Sequence, residues 1–144
     1  MTDFSYERLM ALDVGKKRIG VAVSDPLGFT AQGLEVYNRL TSKADFEYLA
    51  NLFQEHKCTG LVIGLPRHMN GDLGPEAKKI MSFGNKLGSL CKVDPIFWDE
   101  RLTTVQAERV LLEGGLSRKK RRQVIDQLAA VLILDNYLSF RKLN

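Results

Sequence analysis

The acids that could do chemistry come from three separate stretches. Asp13 ends an apolar run, Leu9-Met10-Ala11-Leu12, and Asp99-Glu100 follows another that ends at Trp98. Asp126 precedes Ala129, Ala130, Ile133 and Tyr137, which share its helical face at +3, +4, +7 and +11. A carboxylate in such surroundings needs a proton, a hydrogen-bonded cation or a metal ion beside it. Converging carboxylates suit hard divalent cations, and Mg2+ needs only one or two of them plus phosphate oxygens. Two ions about 3.5–4 Å apart can activate a water and stabilise a leaving 3′-oxygen in phosphodiester hydrolysis. Asp13, Asp126 and one of Asp99 and Glu100 form the candidate set. Successive strand side chains alternate faces, so only one of that adjacent pair can join it.

Cations stand close to these acids in the chain. Lys16, Lys17 and Arg18 follow Asp13, Arg67 follows a short apolar run, and Arg101 follows Glu100. Arg118-Lys119-Lys120-Arg121-Arg122 runs up to Asp126. The first 100 residues carry 12 Lys and Arg against 13 Asp and Glu, a net of −1, whereas residues 101–144 carry 9 against 4, a net of +5. The whole positive surplus thus lies in the last third, where a polyanion would be held. Lys17, Arg18, Arg67 and the run from Arg118 to Arg122 are the phosphate-binding candidates. The plainer alternative is a set of solvated turns and one basic face.

The elements that must position these groups can be read from periodicity. Leu9 to Asp25 reads as a β-hairpin turning at Val14–Arg18, with Gly15 and Gly20 serving its backbone. Phe29 to Tyr37 reads as a third, antiparallel strand. Ser42 fits a helix N-cap with Asp45 at the third helical position; Phe46, Leu49, Ala50 and Phe53 make its inner face and His56 its end. Gly60 to Gly64, wholly apolar, reads as a central parallel strand. A loop, Leu65 to Gly74, holds Arg67 and His68, and Pro75 opens a helix facing inward through Ala77, Ile80, Met81, Gly84 and Leu87. A strand over Val93–Trp98, a helix capped by Thr103 and Gln106 and ended by Gly114-Gly115, and a last helix over Gln123–Phe140 complete the chain. That helix is apolar nearly all round from Leu128 to Leu134, and Asp126 near its start would gain from the helix terminus. Trp98 reads as core rather than as a base-stacking platform.

The order β-β-β-α-β-α-β-α-α implies an α/β protein: a five-stranded mixed sheet, three strands antiparallel and then parallel ones, with helices on both faces. Ligands in such sheets sit beyond the carboxyl ends of the parallel strands, where Asp13, the 65–74 loop and Asp99-Glu100-Arg101 collect. At 144 residues the chain reads as one domain. It has no repeats, no apolar run long enough to span a membrane and no apolar leader in MTDFSYER. Cys58 and Cys91 lack metal-ligand spacing and read as buried free thiols of a cytoplasmic protein.

Four motifs carry a resemblance. DVGKKRIGVAVSD at 13–25, VIGLP at 62–66, DERLTT at 99–104 and DQLAAVLIL at 126–134 resemble, in order and spacing, the YqgF family over nearly the whole chain. The resemblance implies an RNase H-like fold. That family is described both as a Holliday junction resolvase and as the nuclease that matures the 5′ end of pre-16S ribosomal RNA. Carried over residue by residue, it puts catalytic and metal-ligand acids at Asp13, Glu100 and Asp126, favours Glu100 over Asp99, and turns Arg101 to phosphate or to an ion pair. The implied cofactor is one or two Mg2+ or Mn2+ ions. The implied partners are nucleic acid, pre-rRNA first and branched DNA second, and the pre-ribosomal particle. No membrane is implied, and the protein would be a monomer or weak homodimer. The chain departs from other RNase H-like nucleases in having no acid at Gly64-Leu65-Pro66 and no fourth acid at Gln123 or Ala129, which bears on the metal count.

Two other classes compete. An acid-x-Gly turn between strands also opens the ATPase fold of actin-like proteins and sugar kinases, but those need two such domains. A non-catalytic RNA-binding assembly protein gains nothing from carboxylates facing phosphate unless a metal intervenes.

Overall fold

The structure, a computed structural model, describes residues 7–67, 71–99 and 118–142. Strands β1 (Leu9–Val14), β2 (Arg18–Ser24), β3 (Ala31–Asn38), β4 (Gly60–Leu65) and β5 (Ile96–Asp99) form one sheet in the order β3-β2-β1-β4-β5. The β1–β2 and β2–β3 pairs are antiparallel; β1–β4 and β4–β5 are parallel. This is the mixed sheet that the sequence implies. The ends of elements shift by a few residues: β3 starts at Ala31 rather than Phe29, and β5 starts at Ile96 rather than Val93. Asp25 explains the first shift. Its carboxylate accepts from the N–H groups of Leu27, Phe29 and Thr30, so residues 27–30 fold around a side chain instead of entering the ladder.

Strand alternation sorts the core into two layers. Met10, Leu12, Ile19, Val21, Leu61 and Ile63 face one side and pack against α1 (Ser42–Glu55) and α2 (Pro75–Cys91). Leu9, Ala11, Ala22 and Val62 face the other and pack under α3 (Arg118–Lys142) through Ala130, Ile133, Leu134 and Leu138. The residues chosen for the inner faces of the helices are largely those buried, although Leu52 replaces Ala50 in α1 and Phe83 replaces Met81 in α2. Thr41, not Ser42, caps α1: its hydroxyl accepts from the Ala44 N–H at 3.1 Å. Either residue type can cap, and the one whose oxygen reaches the free N–H decides.

The last helix begins at Arg118, five residues before the expected start, so the basic run forms its opening turns. The capped helix expected between Thr103 and Gly115 lies outside the described residues. Trp98 meets Tyr137 edge-on at 5.5 Å and Phe140 at 5.2 Å, the core role expected of it. Cys58 is buried and Cys91 half-buried, both without a disulfide, and burial pushes the Cys58 thiol up to about 11. No helix among the described residues is long and apolar enough to cross a membrane.

Candidate active site

Asp13 and Asp126 are brought to the same place by a glycine. Asp13 lies on the face of β1 that carries Leu9 and Ala11, the face covered by α3. Its cross-strand partner is Gly20. A Cβ built on Gly20 would stand 1.9 Å from the backbone carbonyl oxygen of Asp126, so only glycine lets α3 settle there. One strand further out, a Cβ on Gly33 would meet the Gln127 side chain at 2.7 Å. The helix therefore lies on a trough of missing side chains, with Asp126 over the Asp13–Gly20 pair. The role expected for Gly20 in the hairpin backbone gives way to this close approach.

Arg18 shares the α3 face with Gly20 and Ala22 by the same alternation, and its Nε donates to Asp126 Oδ2 at 2.6 Å. Both side chains stay partly open to solvent, at 30% for Arg18 and 23% for Asp126. This cation, rather than a helix terminus, neutralises Asp126. With α3 starting at Arg118, Asp126 stands two turns inside the helix, beyond the reach of the terminal dipole.

The remaining acids divide cleanly. Ile96 and Trp98 of β5 pack on the α3 side and Phe97 on the other, so alternation puts Asp99 on the α1–α2 face, away from Asp13. Glu100 lies outside the described residues, as do Arg101, His68 and the side chains of Arg118, Lys119, Lys120, Arg121 and Arg122. Among the described residues no three acid, His or Cys side chains gather as a metal site. Asp13 and Asp126, on either side of Gly20, carry hard oxygen donors, and the thiols of Cys58 and Cys91 belong to the opposite layer. That donor chemistry fits Mg2+ or Mn2+.

Lys16 and Arg67 lie across the sheet from this pair. They line a recess of about 830 Å3 between α1 and α2 at the carboxyl ends of β1 and β4. Arg67 also donates to the Gly71 carbonyl at 3.2 Å. Sequence reasoning passes over three cations of that recess: Arg39, Lys79 and Lys86. The last two stand seven apart on α2, a spacing that puts them on one helix side and is a usable signal. Sequence reasoning names Asp45 only as an early acid of α1; the structure makes it a buried carboxylate that accepts from the Tyr37 hydroxyl, the Leu40 N–H and Arg39 Nε at 2.8, 2.8 and 3.0 Å. Burial raises the Asp45 carboxyl, but these donors outweigh it and hold it below the ordinary carboxylate value.

A sequence profile of the RuvX family, described as Holliday junction resolvase, matches residues 7–140. The chain belongs to the RuvX (YqgF) family. A curated family member from Moorella thermoacetica is 54% identical over 91% of this chain and 94% of its own, and one from Carboxydothermus hydrogenoformans is 49% identical over 95% and 99%. Both carry the name "Putative pre-16S rRNA nuclease". The fold of this RuvX chain is similar to that of T. thermophilus RuvC, solved in complex with a Holliday junction substrate. That match has a TM-score of 0.61 at 15% identity and covers 94% of this chain and 96% of RuvC. The RNase H-like expectation thus holds for the sheet and its helices.

Proposed function

We propose that this chain is a divalent-metal-dependent nuclease of structured nucleic acid, and that its substrate is the 5′-extended precursor of 16S ribosomal RNA, within a pre-ribosomal particle in the cytoplasm. The observation that supports the reading is Gly20, which pairs with Asp13 across β1–β2 and lets the Asp126 backbone settle on it, at the sheet edge where such folds bind ligands. The curated names of the near relatives support the RNA reading. Asp13, Asp126 and Glu100 would hold one or two Mg2+ or Mn2+ ions, which when bound supply an activated water and a counter-charge for the leaving oxygen. The family resemblance favours Glu100 as the third acid, and Asp99 lies on the other face of the sheet from Asp13. Arg18 orients the Asp126 carboxylate, while Lys17, Arg67, Arg101 and Arg118 to Arg122 supply phosphate contacts.

Cleavage of a 5′-extended 16S precursor RNA and of a four-way DNA junction, each with Mg2+ and with Mn2+, tests this. Asp13→Asn, Glu100→Gln and Asp126→Asn should each abolish cutting of the RNA. Uncut RNA, or cutting that survives all three substitutions, removes the proposal. The second reading, junction resolution in DNA recombination, is favoured by the RuvC-like fold and the family's description. Symmetric cutting of a two-fold junction needs a two-fold dimer. Junction cleavage by a protein that sediments as a dimer would establish it; a strict monomer would exclude it.

A further inference from the structure

We propose that the recess between α1 and α2 binds the phosphate backbone of a single nucleic-acid strand that reaches it from the acid pair across the β1–β2 turn. This rests on the nuclease reading and extends its substrate path to the opposite face of the sheet. The recess presents Lys16, Arg39, Arg67, Lys79 and Lys86 against one acid, Glu76. Arg39 is paired with Asp45. The described ion pairs use Arg18, Arg39 and Arg141, so Lys16, Lys79 and Lys86 have no carboxylate partner among the described residues. Two of the cations are held over an aromatic floor: Lys86 Nζ lies 5.0 Å from the Phe46 ring centroid, and the Arg39 guanidinium 5.2 Å from that of Phe83. The rings themselves are buried, at 8% and 9% exposure, so they position cations and offer no base a stacking surface. Such a site reads phosphate and ignores sequence.

Size and position choose the ligand. At about 830 Å3 the recess is the size of a small-molecule pocket. A double helix, whose major groove alone is about 12 Å wide, cannot enter it. The β1–β2 turn joins the two faces within a few residues: Val14 lines the recess directly after Asp13, and Lys16 lines it two residues before Arg18, the partner of Asp126. Gly15 closes that turn through its N–H to the Arg18 carbonyl at 2.8 Å. A strand crossing this short edge meets carboxylates on one side and lysines on the other.

Fluorescence anisotropy of a labelled 12-nucleotide single-stranded RNA, with EDTA present, tests the proposal on the full chain. Lys79→Glu with Lys86→Glu should weaken binding about tenfold and make the salt slope shallower by about 1.4, at roughly 0.7 for each phosphate no longer neutralised. The milder pair Lys79→Gln and Lys86→Gln should weaken it about threefold, because the same two phosphates go without a cation. Lys57→Glu with Lys92→Glu makes the same charge change just past the other ends of α1 and α2 and should cost less than about twofold, a distant-charge effect screened by salt. Wild-type binding by the Lys79 and Lys86 variants, an equal loss in the Lys57 and Lys92 control, or competition by a mononucleotide as strong as by the 12-mer would each overturn it. Absence of cleavage with this binding pattern intact would remove the nuclease reading and leave the recess standing.

Discussion

Two aspartate–arginine pairs in this chain look alike on paper and differ in what they leave available. Asp45 and Arg39 lie six residues apart at the entry to α1, and Asp45 is 1% exposed. Its carboxylate takes hydrogen bonds from a phenol, a backbone N–H and a guanidinium, which uses most of its lone-pair capacity. Asp126 and Arg18 lie 108 residues apart, and Asp126 accepts from Arg18 through one oxygen at an opening where Asp13 also stands. A carboxylate consumed by donors can only hold the fold together. One held, among the described residues, by a single guanidinium at a solvent-facing edge still has oxygens to offer. On the proposed function, the first pair serves stability and the second chemistry.

The sharpest way to break that division is to substitute one acid of each pair. Asp126→Asn should reduce nuclease activity about a thousandfold or more, equivalent to roughly 4 kcal/mol of transition-state stabilisation, with a melting temperature near that of the wild type. Asp45→Ala should do the reverse. It strands a buried phenol, a backbone N–H and a half-buried guanidinium, and should cost about 3 kcal/mol in urea unfolding while the folded fraction cuts at the wild-type rate. Equal loss of stability in both variants would make Asp126 a structural acid.

Gly20→Ala probes the contact that brings Asp126 to Asp13. The new Cβ would overlap the Asp126 carbonyl oxygen, so α3 must lift or slide. Overpacking of this kind should cost about 2 kcal/mol. Activity should fall further than the loss of folded protein accounts for, because the two acids separate. Cleavage that tracks the folded fraction alone would mean that the site tolerates the shift.

The asymmetry between the pairs also governs what the sequence allows one to read. Asp126 is legible because a helical stripe of Ala129, Ala130 and Ile133 follows it, and Asp13 because it ends an apolar strand. The approach of the Asp126 backbone to the Asp13–Gly20 pair is not legible, since it depends on what Gly20 omits, and an absent side chain leaves no pattern until a register is known. Asp45 is visible only as an early acid in a helix. Its partners come from the end of β3 and the turn into α1, whose backbone conformation no periodicity encodes. The start of α3 escapes for a related reason: five successive cations look like a solvated loop, and the helix there is fixed by what it packs against downstream. The mixed sheet, in contrast, follows from hydrophobic alternation and crossover length, and those are local signals.

Acid titration should separate the pairs as well. Asp45 is held below its ordinary value in the folded chain, so it binds fewer protons there than when unfolded. Its contribution is present above about pH 3.9, the unfolded value, and is lost as pH falls through the lower folded one. The melting-temperature gap between the wild type and Asp45→Asn should therefore be full at pH 6 and should narrow as the pH falls below the ordinary carboxylate value. A gap that stays constant would mean that shape, rather than charge, makes Asp45 matter.

The smallest expected effect is that of Arg18→Gln on stability. Both members of this pair are partly exposed, and ion pairs in that setting contribute about 0.2–1 kcal/mol. Urea unfolding should accordingly move by less than about 1 kcal/mol, well under the cost of Asp45→Ala. Activity should nevertheless fall, since Asp126 loses the guanidinium that holds its carboxylate in place. Added Mg2+ should restore part of that activity, because the released carboxylate oxygen is a better metal ligand without its arginine. A stability loss as large as that of Asp45→Ala would show that Arg18 pins α3 to β2, and would place both pairs in the same structural class.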